Sequence, residues 1–98
     1  MYGSISRTRV KPGKREEYME WSRSTMATSG KPPGMVQLVI VKSDADPDEV
    51  WSAIVSESKE AYEANSRSPE MQERWKQMSE WFDGPQEWHD GEVILPWS

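Results

Sequence analysis

Met35-Val36-Gln37-Leu38-Val39-Ile40-Val41-Lys42-Ser43 is an apolar, β-branched run, Asp44-Ala45-Asp46-Pro47-Asp48 interrupts it, and Glu49-Val50-Trp51-Ser52-Ala53-Ile54-Val55-Ser56-Glu57 resumes it. β-Branched and aromatic side chains fit a pleated strand, and a cluster of Asp and Pro is turn chemistry. Two strands joined this tightly are antiparallel neighbours. Upstream, Tyr2 to Val10 reads as extended, and Lys11-Pro12-Gly13-Lys14 is the break before a helix from about Arg15 to Ser29 that Lys31-Pro32-Pro33-Gly34 ends. Downstream, Lys59 to Phe82 reads as helical with an interruption at Pro69, and Glu87 to Leu95 as a last strand after Gly84-Pro85. The order is βαββαβ. It predicts an α+β, ferredoxin-like fold with an antiparallel sheet, in a single domain over residues 1–98.

A chain of 98 residues has room for one core, and at that size folding buries only about 65% of the surface the unfolded chain exposes. Hydrophobic residues make up 35% of it, yet six Trp and six Met supply large, adaptable apolar area. Such a chain is expected to complete its core by dimerising. Cysteine is absent, which excludes disulfides, thiolate metal sites and thiol nucleophiles. No apolar run approaches a membrane span, and Met1-Tyr2-Gly3-Ser4 carries neither the basic nor the apolar region of a signal peptide, so no membrane association and a cytoplasmic location are expected.

Net charge is −5 but uneven: residues 1–31 carry seven Lys or Arg against three Glu, and residues 32–98 carry five against fourteen. That pattern describes either complementary patches across a subunit interface or ordinary solvated helix and turn surface. Nucleic acid is not an expected partner. The basic residues are not interleaved with aromatics, and overall acidity opposes a polyanion.

Alternation along a strand sorts its residues by face. Tyr2, Ser4, Ser6, Thr8 and Val10 share one face of the first strand, and Gly3, Ile5, Arg7 and Arg9 the other. Val50, Ser52, Ile54 and Ser56 oppose Trp51, Ala53, Val55 and Glu57 on the third strand. On the second strand Met35, Val39 and Val41 oppose Val36, Leu38 and Ile40. An apolar pattern on both faces means both are covered. Helices in so short a chain cover one, and a second copy is expected on the other. The helices carry matching stripes, Tyr18, Trp21, Ser22, Thr25 and Met26 in the first, then Met71, Trp75, Met78 and Phe82 in the last. Hydroxyls at Ser4, Ser6, Thr8, Ser52 and Ser56 beneath Trp75 describe a small-molecule pocket with an oriented polar floor. The same pattern also describes hydroxyls bonded to backbone or water under a filled core.

Arg9-Val10-Lys11-Pro12-Gly13-Lys14, Ser56-Glu57-Ser58-Lys59-Glu60-Ala61-Tyr62, Ser68-Pro69-Glu70 and Glu87-Trp88-His89-Asp90-Gly91-Glu92-Val93 together resemble the antibiotic biosynthesis monooxygenase superfamily nearly end to end. The resemblance implies a homodimer whose two ferredoxin-like sheets face each other in a dimeric α+β barrel. It does not imply one activity, because members include cofactor-independent quinone-forming monooxygenases, haem-degrading enzymes and proteins without a known reaction. Haem-degrading members use an Asn, a Trp and an axial His at positions that match Ser6, Ser56 and Trp75 here, so haem is not expected and no cofactor or metal is called for. Quinone-forming members use an Asn, a Trp and a Tyr at positions that match Ser52, Ser56 and Tyr62, of which Tyr62 is retained.

The function expected from the resemblance is that of a cofactor-independent monooxygenase acting on a small aromatic of quinol or polyketide type. Tyr62 and His89 are then the candidate proton handlers, His89 being the one side chain whose ordinary pKa lies near neutrality. Trp75 forms the stacking wall, and Ser6, Ser52 and Ser56 the hydrogen-bonding floor. The alternative is a non-catalytic protein of the same fold that binds a small molecule in that pocket; an aromatic at Tyr62 more often packs the helix onto the sheet, and a lone His such as His89 is more often a surface or interface residue. No carboxylate pair, phosphate loop, metal-ligand spacing or nucleophile triad is present.

Overall fold

In the computed structural model, which describes residues 1–97, the elements run β1 (Tyr2–Arg9), α1 (Arg15–Ser29), β2 (Met35–Lys42), β3 (Glu49–Ser56), α2 (Lys59–Ser66), α3 (Pro69–Ser79) and β4 (Glu87–Glu92). The four strands form one sheet in the order β2-β3-β1-β4, every neighbouring pair antiparallel. The α+β, ferredoxin-like arrangement read from the sequence is therefore present, with β1 and β3 at the centre. The last strand is shorter than its sequence suggests, because β4 stops at Glu92 while Ile94 and Leu95 stand exposed beyond it.

Each boundary has a local cause. Ser58 caps α2 by accepting from the Ala61 amide at 3.0 Å, and Ser68 caps α3 by accepting from the Met71 amide at 3.2 Å. Pro69 follows at the first position of α3, where its missing N–H costs nothing, so the long helical stretch divides in two at that point. The β2–β3 turn holds itself by Asx-type bonding: Ser43 Oγ accepts from the Asp46 amide at 3.1 Å, and Asp46 Oδ1 from the Asp48 amide at 2.9 Å. Arg15, at the start of α1, donates to the carbonyls of Ser43 and Asp46 at 2.9 Å each and ties the helix to that turn. Gly34 enters β2 with φ +81°, and a Cβ there would lie 2.7 Å from the Ala61 Cβ, so the loop needs glycine both for conformation and for close approach to α2.

The register fixes the faces. Ser4, Ser6 and Thr8 are buried beneath the helices while Ile5, Arg7 and Arg9 are exposed, as alternation from the sequence requires. A register shift between Met35 and Gln37 alters the expected pattern of β2. Met35 lies opposite Ser56 and shares the helix side with Leu38 and Ile40, instead of joining Val39 and Val41, because an irregularity of one residue inverts the alternation on one side of it. The core gathers at the end of the sheet where Val10, Tyr18 and Val50 are buried, with Trp21, Met78, Trp81 and Phe82 packed around them. Tyr18 meets Phe82 edge to face at 5.4 Å. Across the sheet, Ile5, Val39, Val41 and Trp51 form an apolar face with no helix over it, 41% to 59% exposed.

Candidate functional site

Small side chains on the two central strands sit opposite large ones on the helices, and the mismatch leaves space. Ser6, Thr8 and Ser52 form the floor, and Tyr18, Trp21 and Met26 of α1 with Met71, Trp75 and Met78 of α3 form the roof. Between them is a cavity of about 140 Å³. Met35, Leu38 and Ile40 close it on the β2 side, Gln86 and Trp88 on the β4 side. A void of about 150 Å³ lined by apolar groups accepts one benzene ring. The size therefore suits a single ring, while a fused-ring polyketide does not fit without rearrangement.

The floor hydroxyls are bonded to one another. Ser6 Oγ and Ser52 Oγ pair at 2.5 Å, and Gln86 Nε2 donates to Thr8 Oγ1 at 2.7 Å. Ser22 Oγ turns back to the Tyr18 carbonyl at 3.0 Å. Among the described residues no buried side-chain nitrogen or oxygen lacks a partner. A ligand hydroxyl would have to compete with these pairs or add to the free lone pairs they leave.

Tyr62 stands outside the cavity. It lines a neighbouring open groove with Asp90, Glu63, Ser66 and Arg67, and Trp75 and Trp88 contribute to both spaces. Its phenol donates to Ser4 Oγ at 3.2 Å and lies 3.4 Å from Asp90 Oδ1, while Ser4 Oγ donates to that same carboxylate oxygen at 2.5 Å. Burial pushes the Tyr62 phenol above its ordinary 10.0, the bond with Ser4 opposes this, and the Asp90 charge adds to it. Tyr62 is thus a protonated donor at neutral pH. Its ring also packs on Tyr2, centroids 5.4 Å apart, so the residue has a structural role as well.

The remaining residues read from the sequence separate. Ser56 is buried but does not line the cavity, because it ends β3 opposite Tyr2 and Met35. His89 pairs in register with Ile5, which puts it on the face of the sheet away from the helices. Its side chain is 66% exposed and its Nε2 lies 3.0 Å from Glu87 Oε1. Tyr62 and His89 are therefore on opposite sides of the sheet and do not act on one bound molecule within this subunit. Trp75, Ser6 and Ser52 do come together around the cavity.

Further residues around the cavity and the neighbouring groove were not singled out from the sequence. Trp88 and Asp90 alternate along β4 onto the face of Ser4 and Ser6, Gln86 just ahead of the strand bonds to Thr8, and period two carries the signal. Arg74, one turn from Met71 and Met78 in the apolar stripe of α3, also reaches the cavity. Among the described residues no group of three or more His, Cys, Asp and Glu is placed to hold a metal ion.

The profile of the antibiotic biosynthesis monooxygenase family matches residues 1–81. The chain belongs to the antibiotic biosynthesis monooxygenase family. Solved structures of the same architecture agree: a protein of Chloroflexus aurantiacus classed with these monooxygenases is 23% identical, with TM-score 0.82 over 99% of this chain and 96% of that one. A conserved protein of Methanosarcina mazei is 18% identical, TM-score 0.82, over 95% of this chain and 92% of its own. A variant of SnoaB, a cofactor-independent oxygenase from Streptomyces nogalater, is 14% identical, TM-score 0.76, over 97% of this chain and 96% of that one. At such identities the likeness carries the fold. No curated protein sequence matches the chain significantly. Among the described residues no helix is long and apolar enough to cross a membrane.

Proposed function

We propose that this family member binds a monocyclic, electron-rich aromatic in the cavity and oxygenates it without a cofactor. The carrying observation is the apolar space of about 140 Å³ under Trp75 and Trp88, the volume of one ring. A phenolate is electron-rich enough to reduce O₂ directly. Transfer of one electron and recombination form a C–O bond at the ring carbon para to the oxygen, giving a hydroperoxide, and loss of water leaves the quinone. One phenol and one O₂ yield one quinone and one water, so no external reductant is needed. The protein's share is to hold the ring, exclude water and take the phenolic proton. Asp90, with protonated Tyr62 beside it, lies in the groove on the far side of the Trp75–Trp88 wall, so in this proposal the phenolic proton reaches that carboxylate only when the wall moves.

The working unit in this proposal is a homodimer. Ile5, Val39, Val41 and Trp51 present an apolar sheet face that a second copy would cover. Oxygen uptake by the purified protein with monocyclic phenols that carry hydrogen at the para carbon, in the presence of a chelator, tests the reaction. The expected product gains one oxygen and loses two hydrogens relative to the phenol. Ligand binding without oxygen uptake would favour the second reading, a binding protein without chemistry, for which the mutual pairing of Ser6 with Ser52 and of Thr8 with Gln86 speaks.

A further inference from the structure

The cavity's charge is opposite in sign to that of the protein. The chain carries a net −5, yet the cavity lining includes two cations, Lys31 and Arg74, and no carboxylate. Lys31 Nζ is engaged by the Val36 carbonyl at 3.1 Å. Arg74 is half-buried, and among the described residues its guanidinium makes neither a hydrogen bond nor an ion pair. Its position is the mouth of the cavity. Arg74, Met71 and the Gly30–Pro32 loop line both the apolar space and a larger open groove that leads to solvent. Glu57 and Glu70 border the outer groove without pairing with Arg74.

A half-buried, unpaired guanidinium is an unfavourable place to leave a charge unless something answers it, and its planar fork matches a carboxylate better than a hydroxyl. We infer that the ligand is a monocyclic aromatic acid, its ring in the cavity and its carboxylate on Arg74 at the mouth. This rests on the cavity being a ligand site, and it adds the chemical class. With the acid group at Arg74, the ring lies in the apolar space under Trp75 and Trp88.

Phenylacetate and its neutral amide, phenylacetamide, are matched probes that differ in charge at that end. Titrated into the purified protein and read by ligand-observed NMR and tryptophan fluorescence, phenylacetate should bind about tenfold more tightly, the difference between a charge-assisted and a neutral contact. Arg74→Gln should abolish that preference by weakening phenylacetate alone, and Arg74→Lys should keep part of it, since the charge stays and the fork is lost. Equal affinity for the two probes, or an Arg74→Gln variant that weakens both alike, overturns the inference and leaves the cavity as a site for neutral rings. No binding of either probe overturns both the inference and the ligand site beneath it. Unchanged far-ultraviolet circular dichroism of both variants ties the result to the contact and not to folding.

Discussion

The indoles of Trp75 and Trp88 meet edge to face, ring centroids 5.5 Å apart and planes inclined by 70°, and this pair divides the apolar cavity from the groove of Tyr62 and Asp90. Edge-to-face contact adds about 1 kcal/mol to the burial of the rings themselves. Removing one indole should therefore both weaken the fold and join the two spaces. Trp88→Ala is expected to lower unfolding stability by about 2 kcal/mol, below the usual range for a fully buried Trp because this ring is half-exposed. Chemical denaturation measures the loss, and a change under about 0.5 kcal/mol would mean that the wall is not packed.

The floor pair makes a sharper test, because its two hydroxyls satisfy each other. Ser6→Ala alone leaves the Ser52 hydroxyl with no partner in an apolar space, and Ser52→Ala does the same to Ser6. Each single change should cost about 1 to 2 kcal/mol. The double variant should cost less than the sum by about 1 kcal/mol, since no orphan remains. Additive effects across the cycle would show that each hydroxyl is answered by water.

The legible part of this fold is the part written in strand alternation and punctuation. The hairpin around Asp44 to Asp48, the break at Pro69 and the buried hydroxyl face of β1 follow from period two, turn residues and caps. What was not legible depends on register. The irregularity near Val36 transfers Met35 to the other side of the sheet, and no residue type announces it. His89 looked like a proton handler by its chemistry, but its pairing with Ile5 sends it to the far face. Tyr62 was identified, yet its partner Asp90 comes from a strand 28 residues later, and only the β1–β4 register brings the two to one hydroxyl. Ser56 shares the face of Ser52 but lies at the end of its strand, beyond the cavity.

The exposed apolar face predicts assembly. Trp51 projects from it, held by a bond from its Nε1 to Glu49 Oε1 at 2.7 Å, with Ile5, Val39 and Val41 alongside. An obligate interface on this face should bury at least about 2,000 Å² in total. Light scattering at micromolar concentration is expected to give the mass of two chains. Trp51→Asp replaces the largest apolar group of that face with a charge and should yield unfolded or aggregated protein. A wild-type monomer, or a folded and monomeric Trp51→Asp of unchanged stability, would count against it.

Acid should destabilise the protein through carboxylates at one end of the two central strands. The Arg7 guanidinium, bonded to the Glu49 carboxylate, holds its pKa below the ordinary 4.5, with the Trp51 indole N–H adding to the effect. The Asp48 amide, and after it Arg9, hold Asp46 below its ordinary 3.8. A carboxylate whose folded pKa lies below its unfolded value binds fewer protons in the folded state, so its stabilisation is complete above the unfolded value and disappears as pH falls through the folded one. Stability should hold from neutrality down to about pH 5 and then decline toward about pH 3. Because Glu49 borders the proposed interface, denaturation curves across that range must be taken at one protein concentration. Glu49→Gln removes one of the two titrations and should flatten the decline while lowering stability at neutral pH, where the Arg7 contact is lost. A variant that declines as steeply as the parent would assign the acid sensitivity to other carboxylates.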